Sequence, residues 1–143
     1  PETIVRPKTF VGLMAVYESN YLRLLRLIPE LDRLDGCFRS RVAGDCDLFV
    51  EIIETSRYTV TLSLTYRLAT DEGLLVDPDI TVRAYLDGQQ AEVLAIGEKE
   101  RHVALMRLVA EHREELDRRW RFNVVLNKWL EYLSDQGHLI LDR

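Results

Sequence analysis

The stretch that most limits what this chain can fold into runs from residue 58 to residue 69. Tyr58, Val60, Leu62, Leu64, Tyr66 and Leu68 alternate with Thr59, Thr61, Ser63, Thr65 and Arg67. Period-2 alternation rich in β-branched and aromatic residues marks a strand with one buried face. It is longer than the usual strand of ~5–6 residues. It therefore predicts the spine of an antiparallel sheet whose apolar face is covered by helices.

The remaining pattern fits around that spine. A helix is expected over about 10–28, with Thr9 as N-cap and Phe10, Leu13, Met14, Tyr17, Tyr21, Leu24, Leu25 and Ile28 as its apolar stripe. Pro29 stops it, and a charged connection leads to Gly36. Strands are expected near 37–43, 46–54, 58–69, 79–86 and 90–96. A two-residue turn at Gly44-Asp45 sets Cys37 opposite Ile52. A three-residue loop, Thr55-Ser56-Arg57, sets Leu48, Val50 and Ile52 against Leu64, Leu62 and Val60. Asp87-Gly88 is a strong hairpin signal, and counting back from it pairs Arg83 with Glu92 and Val82 with Val93. The stretch from Thr70 to Asp79 reads as a connection rich in carboxylates. Helices are expected at about 98–112 and 114–135, the second with Phe122, Val125, Leu126, Trp129, Leu130 and Leu133 inward and Gly137 just past its end. The expected class is α+β: an N-terminal helix, a five-stranded antiparallel meander and two C-terminal helices packed on one face, in a single domain over 1–143.

Composition excludes more than it assigns. The net charge of −5 gives no general attraction to nucleic acid or anionic lipid. No run of about 20 apolar residues offers a membrane span, and the first residues carry no signal-peptide core. A cytoplasmic location is expected, with no nucleic-acid or membrane partner. The two cysteines, Cys37 and Cys46, read as reduced buried thiols, too far apart for a disulfide.

Familiar catalytic and ligand motifs are missing. There is no phosphate-cradling glycine loop, no Gly-x-Ser-x-Gly elbow, no HExxH and no CxxC. His102, His112 and His138 are widely spaced and read as surface or capping residues, so no metal or cofactor is expected. The hydroxyl stripe Thr59, Thr61, Ser63, Thr65 reads as an ordinary solvated strand face. Arg118, Arg119 and Arg121 around Trp120 follow directly on Glu111, Glu114, Glu115 and Asp117, a pattern that favours pairing along a helix.

Four blocks resemble the YqiB-like family, small bacterial proteins of unknown function. They are Phe10…Leu13-Met14…Tyr17-Glu18-x-Asn20-Tyr21…Leu24…Leu27-Ile28-Pro29; Glu54-Thr55-Ser56-Arg57-Tyr58-Thr59; Thr81-Val82-Arg83-x-Tyr85-x-Asp87 continuing to Ala91-Glu92-Val93; and Asp117…Arg119…Asn123…Leu126…Trp129-Leu130-x-Tyr132…Gly137. Arg101 to Glu115 replaces a Tyr/Pro/Asn-bearing loop of the family. The resemblance implies no activity, cofactor or catalytic residue. It implies a genomic neighbourhood with nucleotide-processing hydrolases, which is association rather than mechanism.

The polar residues of those blocks form the candidate site: Glu18, Asn20, Glu54, Arg57, Arg83, Tyr85, Glu92, Asp117, Arg119 and Asn123. The expectation is that some of them meet where the terminal helices cross the sheet. There they serve either as a structural network or as a pocket for an anion held by Arg57 and Arg83. The functional expectation is a non-enzymatic binding or adaptor protein with a protein partner. The alternative is a small-anion or nucleotide-binding regulator. A homodimer through Leu139, Ile140, Leu141 and the tryptophans is a further expectation.

Overall fold

A computed structural model describes residues 10–70, 73–97 and 115–141. The chain runs α1 (Phe10–Leu27), β1 (Cys37–Ser40), β2 (Asp47–Thr55), β3 (Thr59–Thr70), β4 (Gly73–Tyr85), β5 (Gln90–Ile96) and α2 (Glu115–Gln136). The five strands form one antiparallel sheet in the order β1-β2-β3-β4-β5, the expected meander. Of the two C-terminal helices expected, α2 is present; the stretch 98–112 assigned to the other lies outside the described residues.

One side of the sheet carries the core. Leu48, Val50 and Ile52 of β2, Val60, Leu62, Leu64 and Tyr66 of β3, and Ile80, Val82 and Ala84 of β4 meet Tyr21, Leu24 and Leu27 of α1 and Leu126, Trp129, Leu130 and Leu133 of α2. Residue pairs of this kind contribute about 25 cal/mol for each Å² taken out of water. The stripes differ from expectation at their edges. Phe10 is 67 % exposed and Val125 points outward, while Asn20 and Asn123 take places on the buried faces. Glu30 to Gly36 is more than a charged connection, because Leu31 and Leu34 complete the core. Cys37 is exposed and Cys46 half-buried, rather than both being buried.

The register follows the hydrophobic pattern, but the turns differ. Val50 pairs with Leu64 and Ile52 with Leu62, two residues from the expected match. The turn itself lies at Arg57-Tyr58, closed by the Ser56 N–H on the Thr59 carbonyl. That turn alone would set apolar β2 residues against polar ones. A bulge at Ile53 restores the matching face. On the other side of β2, Cys37 pairs with Glu51 and not Ile52, so Phe38, rather than Arg39, lies opposite Val50. A longer loop through Gly44 and Asp45 absorbs the one-residue change.

The stretch expected as a connection before Asp79 belongs to β4, with Arg67 opposite Val76 and Thr70 opposite Gly73. Pro78, which cannot donate to a ladder, is accommodated because the ladder shifts between Thr65 and Arg67, setting Asp77 and Pro78 at a bulge opposite Tyr66. The β4–β5 pairing matches expectation: Arg83 with Glu92, Val82 with Val93, Ala84 with Ala91. The left-handed residue of that turn, however, is Gln89 at φ +56°, not Gly88.

A side chain in the left-handed region is strained, and one at Gly88 would meet open space. Gln89→Gly should therefore raise stability by about 0.5–1 kcal/mol, while Gly88→Ala is neutral or mildly stabilising. Urea unfolding midpoints check both. A costly Gly88→Ala would restore the sequence-based turn.

Candidate functional site

The candidate residues fall into separate groups. Asn20 of α1 and Asn123 of α2 meet at the outer edge of β5. Alternate residues of a strand turn their backbone groups to opposite sides, so Ala91 and Val93 present theirs away from β4. The Val93 N–H donates to Asn123 Oδ1 at 2.9 Å. Asn20 Nδ2 donates to the Ala91 carbonyl at 3.4 Å and to Asn123 Oδ1 at 3.3 Å. Asn123 Nδ2 donates to the Arg119 carbonyl at 2.8 Å. Asn127, which sequence reasoning passed over, donates to Asn20 Oδ1 at 3.0 Å and to Ser19 Oγ at 2.8 Å. Two buried side-chain amides thus stand in for a sixth strand. Leaving one such group unsatisfied costs about 1–3 kcal/mol.

A second group lies on the opposite face of the sheet. Tyr85 donates to Glu92 across the ladder, and Arg83 Nε donates to Thr61 Oγ1 at 3.2 Å. Burial, and then the Glu92 carboxylate, push the Tyr85 hydroxyl upward, opposed by Arg83. Thr65 Oγ1 donates to Asp79 at 3.1 Å. Thr61 and Thr65 are buried, so the hydroxyl stripe is a bonded layer rather than a solvated face. Glu54 and Arg57 are exposed at the β2–β3 hairpin, with the Arg57 guanidinium 5.2 Å from the Tyr58 ring. Glu18 is exposed on α1, and Asp117 lies near the start of α2. Arg57 and Arg83 therefore do not join the Asn20–Asn123 group.

The structure also builds a cluster that spacing alone concealed. Gly137, at φ +97°, ends α2 with paired bonds: its own N–H to the Ser134 carbonyl and the His138 N–H to the Leu133 carbonyl. That turn throws His138 back under β1. Far from being a surface histidine, it is 3 % exposed. His138 Nε2 lies 2.9 Å from Asp45 Oδ2, and Nδ1 lies 2.9 Å from Ser40 Oγ. Tyr66 donates to the same Asp45 oxygen at 2.7 Å. The Leu139 N–H donates to Ser40 Oγ at 3.2 Å.

The Asp45 carboxylate can only accept, so Nε2 carries its hydrogen toward it, while Nδ1 shares a hydrogen bond with the serine hydroxyl. Burial, and then Asp45, hold the Tyr66 hydroxyl far above its ordinary value, so it remains a donor. Burial would raise the Asp45 carboxyl, yet the Tyr66 hydroxyl, the Cys46 N–H and His138 outweigh it and hold it below its ordinary value. A serine, histidine and carboxylate in series invite a nucleophilic reading. Here the serine oxygen accepts a backbone N–H and the residue is 7 % exposed, so the series acts as a latch between tail and sheet. Ile140 completes the latch, buried and with its N–H on the Leu27 carbonyl. Ile140 and Trp129 are thus spent inside their own chain.

Beside the latch lies a cleft of about 590 Å³ between the outer edge of β1 (Cys37 to Ser40), Arg41 and the tail at Gly137 and Leu139 to Leu141. The Ile52 N–H on the Gly36 carbonyl fixes the parity of this ladder. Phe38 and Ser40 consequently face β2, and the N–H and C=O groups of Cys37 and Arg39 point out into the cleft. Among the described residues no backbone group takes them up.

Residues 23–139 match a family described as protein of unknown function (DUF1249). The chain belongs to that family. The match takes in the whole sheet, Asn123 and the latch residues Ser40, Asp45, Tyr66 and His138, and ends before Ile140. Comparison with curated proteins and with solved structures finds no match. Among the described residues no helix is long and apolar enough to cross a membrane.

The Asp45 environment predicts an acid response. Its folded-state value lies below the unfolded one of about 3.9, so its contribution is complete above that pH and is lost as pH falls through the folded value. Asp45→Asn should be less stable than wild type at neutral pH, and the gap should close on acidification below about pH 4. Urea midpoints against pH measure this; a constant gap contradicts it.

Proposed function

We propose that this protein is a non-enzymatic, cytosolic binding module of bacteria that takes up an extended segment of a partner protein along β1. We read its family as the YqiB-like one, on the sequence blocks quoted above. The observation that carries the reading is the difference between the two edges of the sheet. A strand edge presents unpaired backbone groups that template another strand. The β5 edge is closed by Asn20 and Asn123. The β1 edge is open over a cleft.

Strand addition draws affinity from main-chain hydrogen bonds and specificity from the side chains flanking the groove. The tail, held by His138, gives that groove a fixed wall, so little ordering free energy is spent on forming it. Leu139, 46 % exposed, and the half-buried Phe38 supply apolar contact on the tail side.

The test uses the position of one N–H. Arg39→Pro removes the outward donor while leaving the β1–β2 ladder, since its N–H is not part of that ladder. Valine–threonine peptides of about eight residues, the length of an ordinary strand, serve as probes. In NMR titrations, the Cys37, Arg39 and Leu139 amides of wild type should shift. Arg39→Pro should weaken binding by about tenfold or more. Shifts centred on the β2–β3 hairpin, or none at all, would sink the reading.

A further inference from the structure

The face of β1 away from the core carries a feature that the latch and the cleft leave unused. Arg39 lies opposite Phe49 in the β1–β2 ladder. Its guanidinium is 5.9 Å from the centre of the Phe49 ring. Arg67, reaching from β3, places its guanidinium 4.2 Å from the same ring. Two cations thus converge on one aromatic ring. A guanidinium is attracted to the ring's negative π-system, but the two repel each other.

Among the described residues neither lies within ion-pair distance of a carboxylate; Asp47, opposite Arg67 in the β2–β3 ladder, instead has its Oδ2 3.4 Å from Arg41 Nε. The chain as a whole is acidic, at −5. Two guanidinia on one ring, with the facing Asp47 carboxylate engaged by Arg41, fit an anion brought by a partner.

Strand geometry says where that anion sits. A segment added to β1 places the side chain opposite Arg39 on the Arg39 face, with Cβ atoms about 4.5–5.5 Å apart. Its next side chain points to the other face, the one on which Ser40 meets His138 and the tail. There it meets Phe38, Leu139 and Leu141, the last two lining the cleft. We infer that the partner segment alternates acidic and apolar residues, its carboxylates facing Arg39 and Arg67 and its apolar side chains facing the tail.

This rests on the β1-edge reading and adds the chemistry of the occupant. A second copy of the chain is a poorer occupant: antiparallel pairing of two β1 edges sets Arg39 and Arg41 of one copy against those of the other, and like charges opposite one another destabilise a ladder.

The experiment compares three acetylated peptides of about eight residues: alternating Glu–Val, Gln–Val and Lys–Val. Fluorescence anisotropy gives affinity, and backbone amide shifts give the place. Wild type should bind Glu–Val about tenfold or more tighter than Gln–Val and bind Lys–Val weakest, with the preference shrinking as salt rises. Arg67→Ala, at an exposed position outside the binding edge, should keep Gln–Val binding and lose the preference, and Arg39→Ala should lose the preference too. Equal binding of Glu–Val and Gln–Val overturns the acidic selectivity and leaves the edge reading standing. A preference that survives both substitutions places the carboxylates elsewhere and overturns the assignment. Failure of all three peptides overturns the edge reading and this inference with it. Concentration-dependent dimerisation blocked by Arg39→Pro would show the second copy to be the occupant, and would also overturn the inference.

Discussion

The structure depends on two amides. Asn20 and Asn123 each sit on the buried face of a helix, where a polar side chain is tolerated only if its hydrogen bonds are met. They are met by each other and by Ala91 and Val93, the outward backbone groups of an edge strand that would otherwise be exposed. One interaction therefore solves three problems: it satisfies the amides, closes the edge, and fixes where α1 crosses α2. An apolar pair would bury more surface but would leave β5 unpaired and the helices free to slide. In a low-dielectric site such a network rigidifies if complete and is costly if broken.

The opposite side of the molecule is arranged differently. The turn at Gly137 delivers His138 to Ser40 and Asp45, and so joins the end of α2 to the β1–β2 loop. Tyr66, itself edge-on to Trp129 with ring centres 5.3 Å apart, ties this latch to the core. The tail is thus held beside β1, and among the described residues none of its backbone groups bonds to the outer edge. A rigid sheet, a fixed wall and an open row of backbone donors and acceptors are the features the proposed strand addition would use, and the two amides bonded to β5 leave β1 as the edge for it.

Much of this was legible in the residues, and the failures have physical causes. The meander was readable because β3 alternates without interruption and Asp87-Gly88 punctuates β4 and β5. The β2–β3 and β1–β2 registers were misjudged because sequence patterns fix the parity of a strand, not the number of residues a bulge or loop absorbs. Ile53 and the loop before Asp47 supply those extra residues. The start of β4 was missed because the carboxylates around Leu74, Leu75 and Val76 suggested a connection. Asn20 and Asn123 stood out as polar residues of the blocks that carry the family resemblance. The latch did not, since Ser40, Asp45 and His138 each suit a turn or surface and are brought together only by the fold. Arg39, Phe49 and Arg67 lie on three strands, and their meeting depends on a register that the sequence left ambiguous.

Native-state hydrogen exchange, read amide by amide, tests the contrast between the two edges most directly. The Val93 amide should be protected like the ladder amides Phe38 and Ser40, although among the described residues no strand lies beyond it. The Cys37 and Arg39 amides, on the same four-residue strand as Phe38 and Ser40, should exchange far faster. Rapid exchange at Val93, or protection at Cys37 and Arg39 equal to that of Phe38, would contradict a sheet with one edge closed and the other open.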